Sequence, residues 1–365
     1  MKKALLMSLI AGAAAVSATA ATVSEVSSPI TEGTTFVGEQ VFEGQLEINQ
    51  VLLQIGTQDG SQTGVLTIKN ETDPLANKGR IQVNKGSTLY VYTGNNPGWS
   101  TASKGQRIDI YGTVETAYGT NSAQIPTDTN GYNLEVSGSG NEMRVFDGGV
   151  LNFKNGSMRL RDGGIINLKE GSKTTVGRII FGGTGAKLII GANDVLSTAS
   201  GGKPSIVLGS ATRGIIDVSA TTDLKLGNIQ FQGRSSLTIN LSATHGLLTA
   251  AKLDVNEVNT YPFDGTESLI LNDFVNDTFK INDTSNIELV GDALLKITKL
   301  GNTSVVKNIK LVAYDKDGKT LCGEGEHWEI QNGFLNIVSN IPEPAEWAAI
   351  FGGIALALAL YRRRR

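Results

Sequence analysis

Short runs of alternating apolar and polar residues, separated by glycine-rich turns, constrain the fold of this chain more than any other feature. One such stretch occurs twice in close succession: residues 145–153 read VFDGGVLNF and residues 160–168 read LRDGGIINL. A second turn follows each copy, KNGS at 154–157 and KEGS at 169–172. Because successive side chains of a strand point to opposite faces, each run predicts a short strand with one apolar face. The interior of the chain shows no comparable helical periodicity, so the sequence predicts an all-β fold.

The internal repeat favours a parallel β-helix (a β-solenoid) over a β-sandwich. One short strand cannot bury its apolar face alone, whereas coils stacked about 4.8 Å apart close a continuous core. If one repeat is one coil, four apolar side chains of the two copies stack in a single interior column: Leu151, Phe153, Ile166 and Leu168. A coil longer than the repeat stays open as an alternative, because the looser runs on both sides are irregularly spaced. A β-sandwich also has closely spaced strands, but it has no reason to keep an internal repeat.

The charge and the scarcity of cysteine and histidine argue against several classes of protein. The 365 residues carry 32 Lys and Arg against 35 Asp and Glu, and several basic residues lie at the two ends: Lys2, Lys3 and 362–365. The acidic interior lacks the basic face that a nucleic-acid-binding protein needs. One Cys and two His argue against a disulfide scaffold and a Cys/His zinc site. We expect the lone Cys322 to be a small apolar residue of the core.

The N-terminal segment, 1–20, predicts a secretory signal peptide. Met1-Lys2-Lys3 forms a short basic region, residues 4–16 are apolar and uncharged, and Ala18-Thr19-Ala20 fits the small-x-small cleavage pattern. We expect the mature chain to begin at Ala21, with Ala18 and Ala20 as the cleavage-site residues. The alternative interpretation is a buried N-terminal helix.

The C-terminal segment, 341–365, combines three features in a fixed order. The triplet Pro342-Glu343-Pro344 interrupts regular structure, because neither proline donates a backbone hydrogen bond. Residues 348–361 are uncharged and rich in Ala, Leu and Ile, and four arginines close the chain: Arg362, Arg363, Arg364 and Arg365. As a helix the apolar segment reaches about 21 Å, less than the hydrocarbon core of a bilayer. Snorkelling arginines and local thinning would complete a C-terminal transmembrane helix.

This tail resembles the PEP-CTERM sorting signal of Gram-negative-type bacteria. The resemblance implies that an exosortase, a membrane protease, recognises and cleaves the chain at the tail. It also implies an inner-membrane intermediate, followed by passage to the cell surface or the extracellular matrix. The sorting and processing residues would be the triplet Pro342, Glu343 and Pro344 together with the four terminal arginines. The plain alternative is a permanent single-span membrane anchor.

The body between the two ends is similar in pattern to the right-handed passenger β-helices of autotransporters, over roughly residues 40–245. Further on, glycine thins out and longer apolar runs appear, which is typical of a β cap that closes the open end of a solenoid. We therefore expect a right-handed parallel β-helix with a C-terminal β cap, plus an N-terminal signal helix and a C-terminal transmembrane helix. The predicted divisions are a signal peptide at 1–20, a solenoid shaft at 21–246, a cap at 247–340 and a sorting tail at 341–365.

A polysaccharide lyase or hydrolase is the alternative function for such a body. Asp147 and Asp162 are its candidate acid and base, since one repeat per coil would stack them about 5 Å apart. Both precede Gly-Gly, however, where aspartate favours a turn. His245 and His327 have no motif around them. The sequence therefore predicts a non-catalytic structural or adhesive protein with no cofactor, metal or nucleic-acid site. Extracellular polysaccharide is a further candidate partner.

Overall fold

The computed structural model of the chain describes most of the body and the C-terminal helix. The described residues are 21–70, 75–77, 79–93, 99–101, 107–118, 134–153, 156–191, 195–198, 202, 205–218, 223–241, 246–257, 261–291, 293–339 and 344–363. The predicted signal peptide, with its cleavage residues Ala18 and Ala20, lies outside them.

Within the described residues, the regular structure consists of short strands and one helix. The first seventeen are β1 (Ala21–Val23), β2 (Thr34–Phe36), β3 (Gly38–Glu43), β4 (Leu46–Ile48), β5 (Leu52–Ile55), β6 (Gly64–Asn70), β7 (Leu75–Asn77), β8 (Arg80–Val83), β9 (Thr88–Thr93), β10 (Trp99–Thr101), β11 (Arg107–Ile110), β12 (Thr113–Tyr118), β13 (Leu134–Ser137), β14 (Glu142–Val145), β15 (Val150–Asn152), β16 (Ser157–Arg161) and β17 (Ile165–Leu168).

The second half of the described chain continues in the same way. Its strands are β18 (Lys173–Thr175), β19 (Arg178–Gly182), β20 (Thr184–Ile190), β21 (Val195–Ser197), β22 (Ser205–Leu208), β23 (Arg213–Val218), β24 (Leu224–Lys225), β25 (Ile229–Gln232), β26 (Ser236–Leu241), β27 (Leu248–Asn256), β28 (Ser268–Asn272), β29 (Phe279–Asp283), β30 (Ile287–Val290), β31 (Leu294–Thr298), β32 (Val306–Ala313), β33 (Glu326–Gln331) and β34 (Phe334–Ser339), and the helix is α1 (Pro344–Arg363).

Three large sheets form the body, and the chain visits them in turn, while β4 and β7 pair in a separate two-stranded sheet. Sheet A has 14 strands in the order β1-β2-β5-β8-β11-β14-β17-β20-β23-β26-β28-β32-β31-β30. Sheet B has 7 strands, β21-β18-β15-β12-β9-β6-β3, and sheet C has 11, β10-β13-β16-β19-β22-β25-β27-β29-β34-β33 with β24 beside β27. One coil runs through β14, β15 and β16, and the next repeats the path in β17, β18 and β19, each strand parallel to its predecessor. The predicted all-β fold and β-solenoid are confirmed.

The core consists of apolar columns that run along the solenoid. One column of sheet A contains, in register, Leu53, Ile81, Ile108, Met143, Ile166, Leu188, Ile216, Ile239 and Leu271. Each of these side chains is at most 1% exposed. Strands in register lie about 4.8 Å apart, so each side chain packs against the same position of the next coil. Burying one such side chain contributes about 1.5–3 kcal/mol, which makes these columns the main source of stability.

One coil contains more residues than one copy of the sequence repeat. The Asn240 amide donates to Asp217 in the preceding coil of sheet A, 23 residues earlier. The second copy of the repeat therefore begins before one coil is complete, and each copy spans a different corner between sheets. The predicted single column is wrong: Leu151 lies in sheet B and Ile166 in sheet A. The reason is that corners of similar conformation occur more than once per coil. Similar sequences therefore indicate the same type of turn, but not the same position in the coil.

Parallel pairing continues beyond residue 246, the predicted end of the shaft. Strand β27 is parallel to β24 and β25, β28 to β26, β29 to β27, and β32 to β28. The antiparallel strands begin at Ile287, where β30, β31 and β32 form a meander. Strands β33 and β34 form a hairpin that joins β29. These strands cover the C-terminal edges of sheets A and C, as a solenoid cap must.

Helix α1 ends the described chain. It begins at Pro344, since proline at the first helical position removes an N–H that has no intrahelical partner. Arg362 and Arg363 lie in its last turn, where their positive charges interact favourably with the helix dipole. Within the described ranges, no helix has the length and apolar character needed to cross a membrane, so the predicted transmembrane helix is not confirmed.

Candidate functional site

The two aspartates that the sequence offers as an acid–base pair lie at different corners of the coil. Asp147 follows β14 at the corner between sheets A and B, whereas Asp162 follows β16 at the corner between sheets C and A. The predicted stacking is therefore wrong, because the spacing between the two aspartates is shorter than one coil. Asp162 has a backbone φ of 49° in its turn, and its carboxylate forms an ion pair with Nε of Arg161 at 2.9 Å. Asp162 therefore lies in a turn, as its position before Gly-Gly predicts.

The Gly-Gly pairs that follow the aspartates shape these corners. Gly148 adopts a φ of 73°, which L side chains rarely adopt. Gly149 has a different function, since a Cβ on it would collide with the carbonyl oxygen of Ile110 in the preceding coil. Gly163 and Gly164 repeat this division at their own corner. The first glycine permits the turn, and the second permits neighbouring coils to approach each other.

The predicted sorting residues lie partly within the described chain. Four of them fall outside it: Pro342, Glu343, Arg364 and Arg365. The other three bracket helix α1, with Pro344 as its first residue and Arg362 and Arg363 in its last turn. Between them, seven large apolar side chains are 46–63% exposed: Ile350, Phe351, Ile354, Leu356, Leu358, Leu360 and Tyr361. The apolar segment of the tail is thus a helix that presents its side chains to the surroundings.

The cysteine and the two histidines of the sequence analysis form no recognisable site in the described structure. Cys322, which the sequence predicts in the core, is only partly buried and packs against the apolar core from outside the buried cluster. His327 lies in the cap hairpin, paired with Val338, and His245 falls outside the described residues. Among the residues that the structure describes, no group of three His, Cys, Asp or Glu is close enough to hold a metal ion.

A cleft of about 620 Å³ opens on the outer face of sheet C. Its lining comes from five stacked strands, β16, β19, β22, β25 and β27, and from the turns beside them. Because these strands succeed one another along the solenoid, the cleft extends parallel to the long axis of the shaft. We call it the sheet-C cleft.

The floor of the sheet-C cleft is low because glycine takes the place of larger residues in two consecutive coils. Gly182 is the register partner of Arg161 on the neighbouring strand, and Gly209 directly follows the next strand of the stack. Beside them, the register partners Ile180 and Val207 contribute apolar surface. The floor thus combines bare backbone with two aliphatic side chains.

Three arginines supply the positive charge of the sheet-C cleft. The guanidinium of Arg159 lies over Gly182, with Nε 3.3 Å from the point where a Cβ would stand, and its Nη1 is 3.5 Å from Glu135. Arg161 projects beside it with 47% of its side chain exposed. Arg178 lies on the adjacent strand, and no carboxylate of the described chain comes within 4.0 Å of it. Guanidinium groups can bind carboxylates and phosphates, so these three residues are the candidate anion-binding groups of the cleft.

Two glutamines on β25 provide hydrogen-bonding groups further along the cleft. Ser210 Oγ donates to Gln232 Oε1 at 3.2 Å, which leaves the amide N–H groups of Gln232 as donors. Gln230 Nε2 donates to Asp254 at 3.2 Å, which leaves the Gln230 carbonyl oxygen as an acceptor. The cleft therefore offers fixed donors and acceptors as well as charge.

Sequence reasoning missed the sheet-C cleft. Its residues are scattered between 159 and 256, and the register between coils alone brings them together. The one local signal is the outward pair Arg159 and Arg161 on a strand whose alternate residues are buried. No protein-family model, characterised protein or solved structure matches this chain significantly.

Proposed function

We propose that this chain is an exported, non-catalytic surface or matrix protein, in which a right-handed solenoid shaft is delivered by a C-terminal sorting tail. One observation carries the proposal: after a capped solenoid, helix α1 leaves its large apolar side chains 46–63% exposed. Contiguous exposed apolar surface marks a contact with a membrane or another protein. We infer that the membrane covers this helix before an exosortase processes the tail.

The charges of the tail support this orientation. Residues 348–361 carry no charge, and the arginines that follow keep to the cytoplasmic side under the positive-inside rule. The triplet Pro342-Glu343-Pro344 then stands at the outer face, where a membrane protease can reach it. The apolar segment reaches about 21 Å against roughly 30 Å of hydrocarbon, a difference that snorkelling arginines and local thinning compensate.

The body supports a structural or adhesive function. Its apolar columns run through consecutive coils, so the solenoid forms a shaft in which each coil stabilises its neighbours. A right-handed coil is the hand favoured for parallel strands joined by crossovers. The candidate acid and base of the enzymatic alternative are separated at different corners, which favours a non-catalytic function.

Processing of the tail tests this function in a host that expresses an exosortase. We expect wild-type protein at the cell surface without any peptide from residue 351 onward. Pro342→Ala with Pro344→Ala, or Glu343→Lys, removes the recognition element and leaves uncleaved protein in the inner membrane. Cell fractionation and mass spectrometry of the C-terminal peptides measure both effects.

The control for the charge reversal is Glu329→Lys on the exposed face of β33, which we expect to be processed like the wild type. An intact C-terminal peptide ending in Arg365 on surface-exposed protein would identify the tail as a permanent anchor. Retention of the wild-type chain in the cytoplasm would contradict export altogether.

A further inference from the structure

We propose that the sheet-C cleft binds a carboxylated oligosaccharide chain. This inference rests on the proposed function and deepens it, because it names the ligand class of the shaft. It depends on three properties of the cleft: its charge, its length and the mixture of polar and apolar groups on its surface.

The charge of the cleft selects an anion. Arg159, Arg161 and Arg178 line it, and its described lining contains no Asp or Glu. Three carboxylates lie beside the cleft: Glu135 and Asp162 offset the charges of Arg159 and Arg161, and Asp254 accepts a hydrogen bond from Gln230. The charge of Arg178 is left over on a chain whose formal net charge is −3. A guanidinium recognises a carboxylate with two parallel hydrogen bonds, which a neutral sugar cannot accept in the same way.

The length of the cleft selects a chain rather than a single ion. Five strands at about 4.8 Å spacing extend over roughly 19 Å along the solenoid. The arginines stand on β16 and β19, whereas Gln230 and Gln232 stand on β25 at a distance along the same face. A small inorganic anion would contact the arginines alone. A ligand that uses both ends must be elongated and must carry neutral polar groups beyond its charge.

The remaining groups of the cleft fit sugar hydroxyls and ring faces. Gln232 offers amide donors, Gln230 offers a carbonyl acceptor, and both are held by hydrogen bonds to neighbouring side chains. Ile180 and Val207 provide an apolar floor for the C–H faces of a pyranose ring. Single-stranded nucleic acid fits less well, because the aromatic residue of the described lining, Phe181, is fully buried and offers no stacking surface.

Calorimetric titration of the full-length protein in a mild non-ionic detergent tests the inference. The probes are oligogalacturonate as the carboxylated chain, a malto-oligosaccharide of equal length as the neutral chain, and sodium sulfate as the small anion. We expect binding of oligogalacturonate in preference to both others. Replacing Arg161 or Arg178 by Gln should weaken that binding about tenfold each, since a hydrogen bond to a charged group is lost. Raising the salt concentration should weaken it further.

Arg80→Gln is the control variant, because Arg80 is an exposed arginine on β8 of sheet A and its replacement makes the same change in net charge. It should bind like the wild type. Equal affinity for the neutral oligosaccharide, saturation by sulfate at the same concentration, or undiminished binding by both cleft variants would overturn the proposal. Tail processing is measured separately in cells, so failure of one proposal leaves the other result readable.

Discussion

At the scale of single residues, ion pairs on the outer faces link neighbouring coils. Arg144 donates to both carboxylate oxygens of Asp109 at 2.7 Å, and this bidentate contact raises the pKa of Arg144. Lys187 pairs with Asp217 at 2.8 Å on the same sheet. The four side chains are 13–32% exposed. Ion pairs that water still reaches contribute little to overall stability, but a bidentate pair has a defined geometry. They favour one register between strands that apolar columns alone would align less strictly.

The pair between Lys252 and Asp283 gives a prediction for pH. Lys252 Nζ lies 2.6 Å from the Asp283 carboxylate, and the Ser285 backbone N–H donates to it at 3.0 Å. Together these donors hold the pKa of Asp283 well below its ordinary value of 3.8. A carboxylate with a depressed pKa stabilises the folded state above its unfolded-state pKa, and this contribution is lost as the pH falls through the folded-state pKa. Lys252→Met should raise the pKa of Asp283.

Carboxyl carbon shifts of aspartate-labelled protein, recorded between pH 6 and about pH 2, measure this pKa. Lys316→Met is the control, because Lys316 approaches a different and largely exposed carboxylate, Asp317, at 3.8 Å. An Asp283 that titrates at an ordinary aspartate pKa in the wild type would show that the pair does not form.

At the scale of elements, each strand buries one face and its neighbours in the stack hold it in place. Leu151 of β15 is the register partner of Val114 in the preceding coil and of Thr174 in the next. Phe153 follows the strand, donates its backbone N–H to the Thr175 carbonyl at 2.9 Å, and is 1% exposed. A short strand of this kind owes its position to the coils on both sides of it.

Phe153→Asp should destabilise the solenoid strongly. The substitution removes a buried aromatic ring and buries a carboxylate that has no hydrogen-bond or charge partner. Together these changes lower the free energy of unfolding by at least about 3 kcal/mol. Chemical denaturation followed by circular dichroism measures the loss as a lower midpoint. Lys173→Asp in the next coil puts the same carboxylate on an exposed position and serves as the control. Equal midpoints for the two variants would contradict the burial of Phe153.

At the scale of the whole molecule, the antiparallel strands of the cap cover sheet edges that could otherwise pair with another chain. Strand β31 pairs antiparallel with β32, the last parallel strand of sheet A, and the hairpin of β33 and β34 covers β29 of sheet C. An open edge of parallel strands is a template for pairing with another chain. The cap therefore limits growth of the sheets at the C-terminal end.

A chain that ends at residue 286 should self-associate through these edges. Light scattering after size-exclusion chromatography measures the mass, and circular dichroism shows whether the β structure is kept. A chain that ends at residue 339 keeps the cap and lacks only the tail, so we expect it to be less associated than the shorter chain. A β-rich monomer ending at residue 286 would rule out this function of the cap.

The sequence alone determined the local structure of this protein. Alternation placed the strands and their buried faces correctly, since Met143, Val145, Met158 and Leu160 are all buried. The Gly-Gly pairs marked true corners because a positive φ and a close backbone approach are requirements of a few neighbouring residues. Strands and turns can be predicted from one sequence because the residues that determine them are adjacent in the chain.

Only the tertiary structure decided which strands stack on which. Asp109 meets Arg144 across 35 residues, whereas Asp217 meets Asn240 across 23, so coils of one sheet differ in length through the segments between their strands. The separation of Asp147 from Asp162 and the meeting of Arg159, Arg178 and Gln232 in one cleft both follow from this register. Register depends on contacts between residues far apart in the chain. The local sequence of a corner does not indicate which two sheets that corner joins.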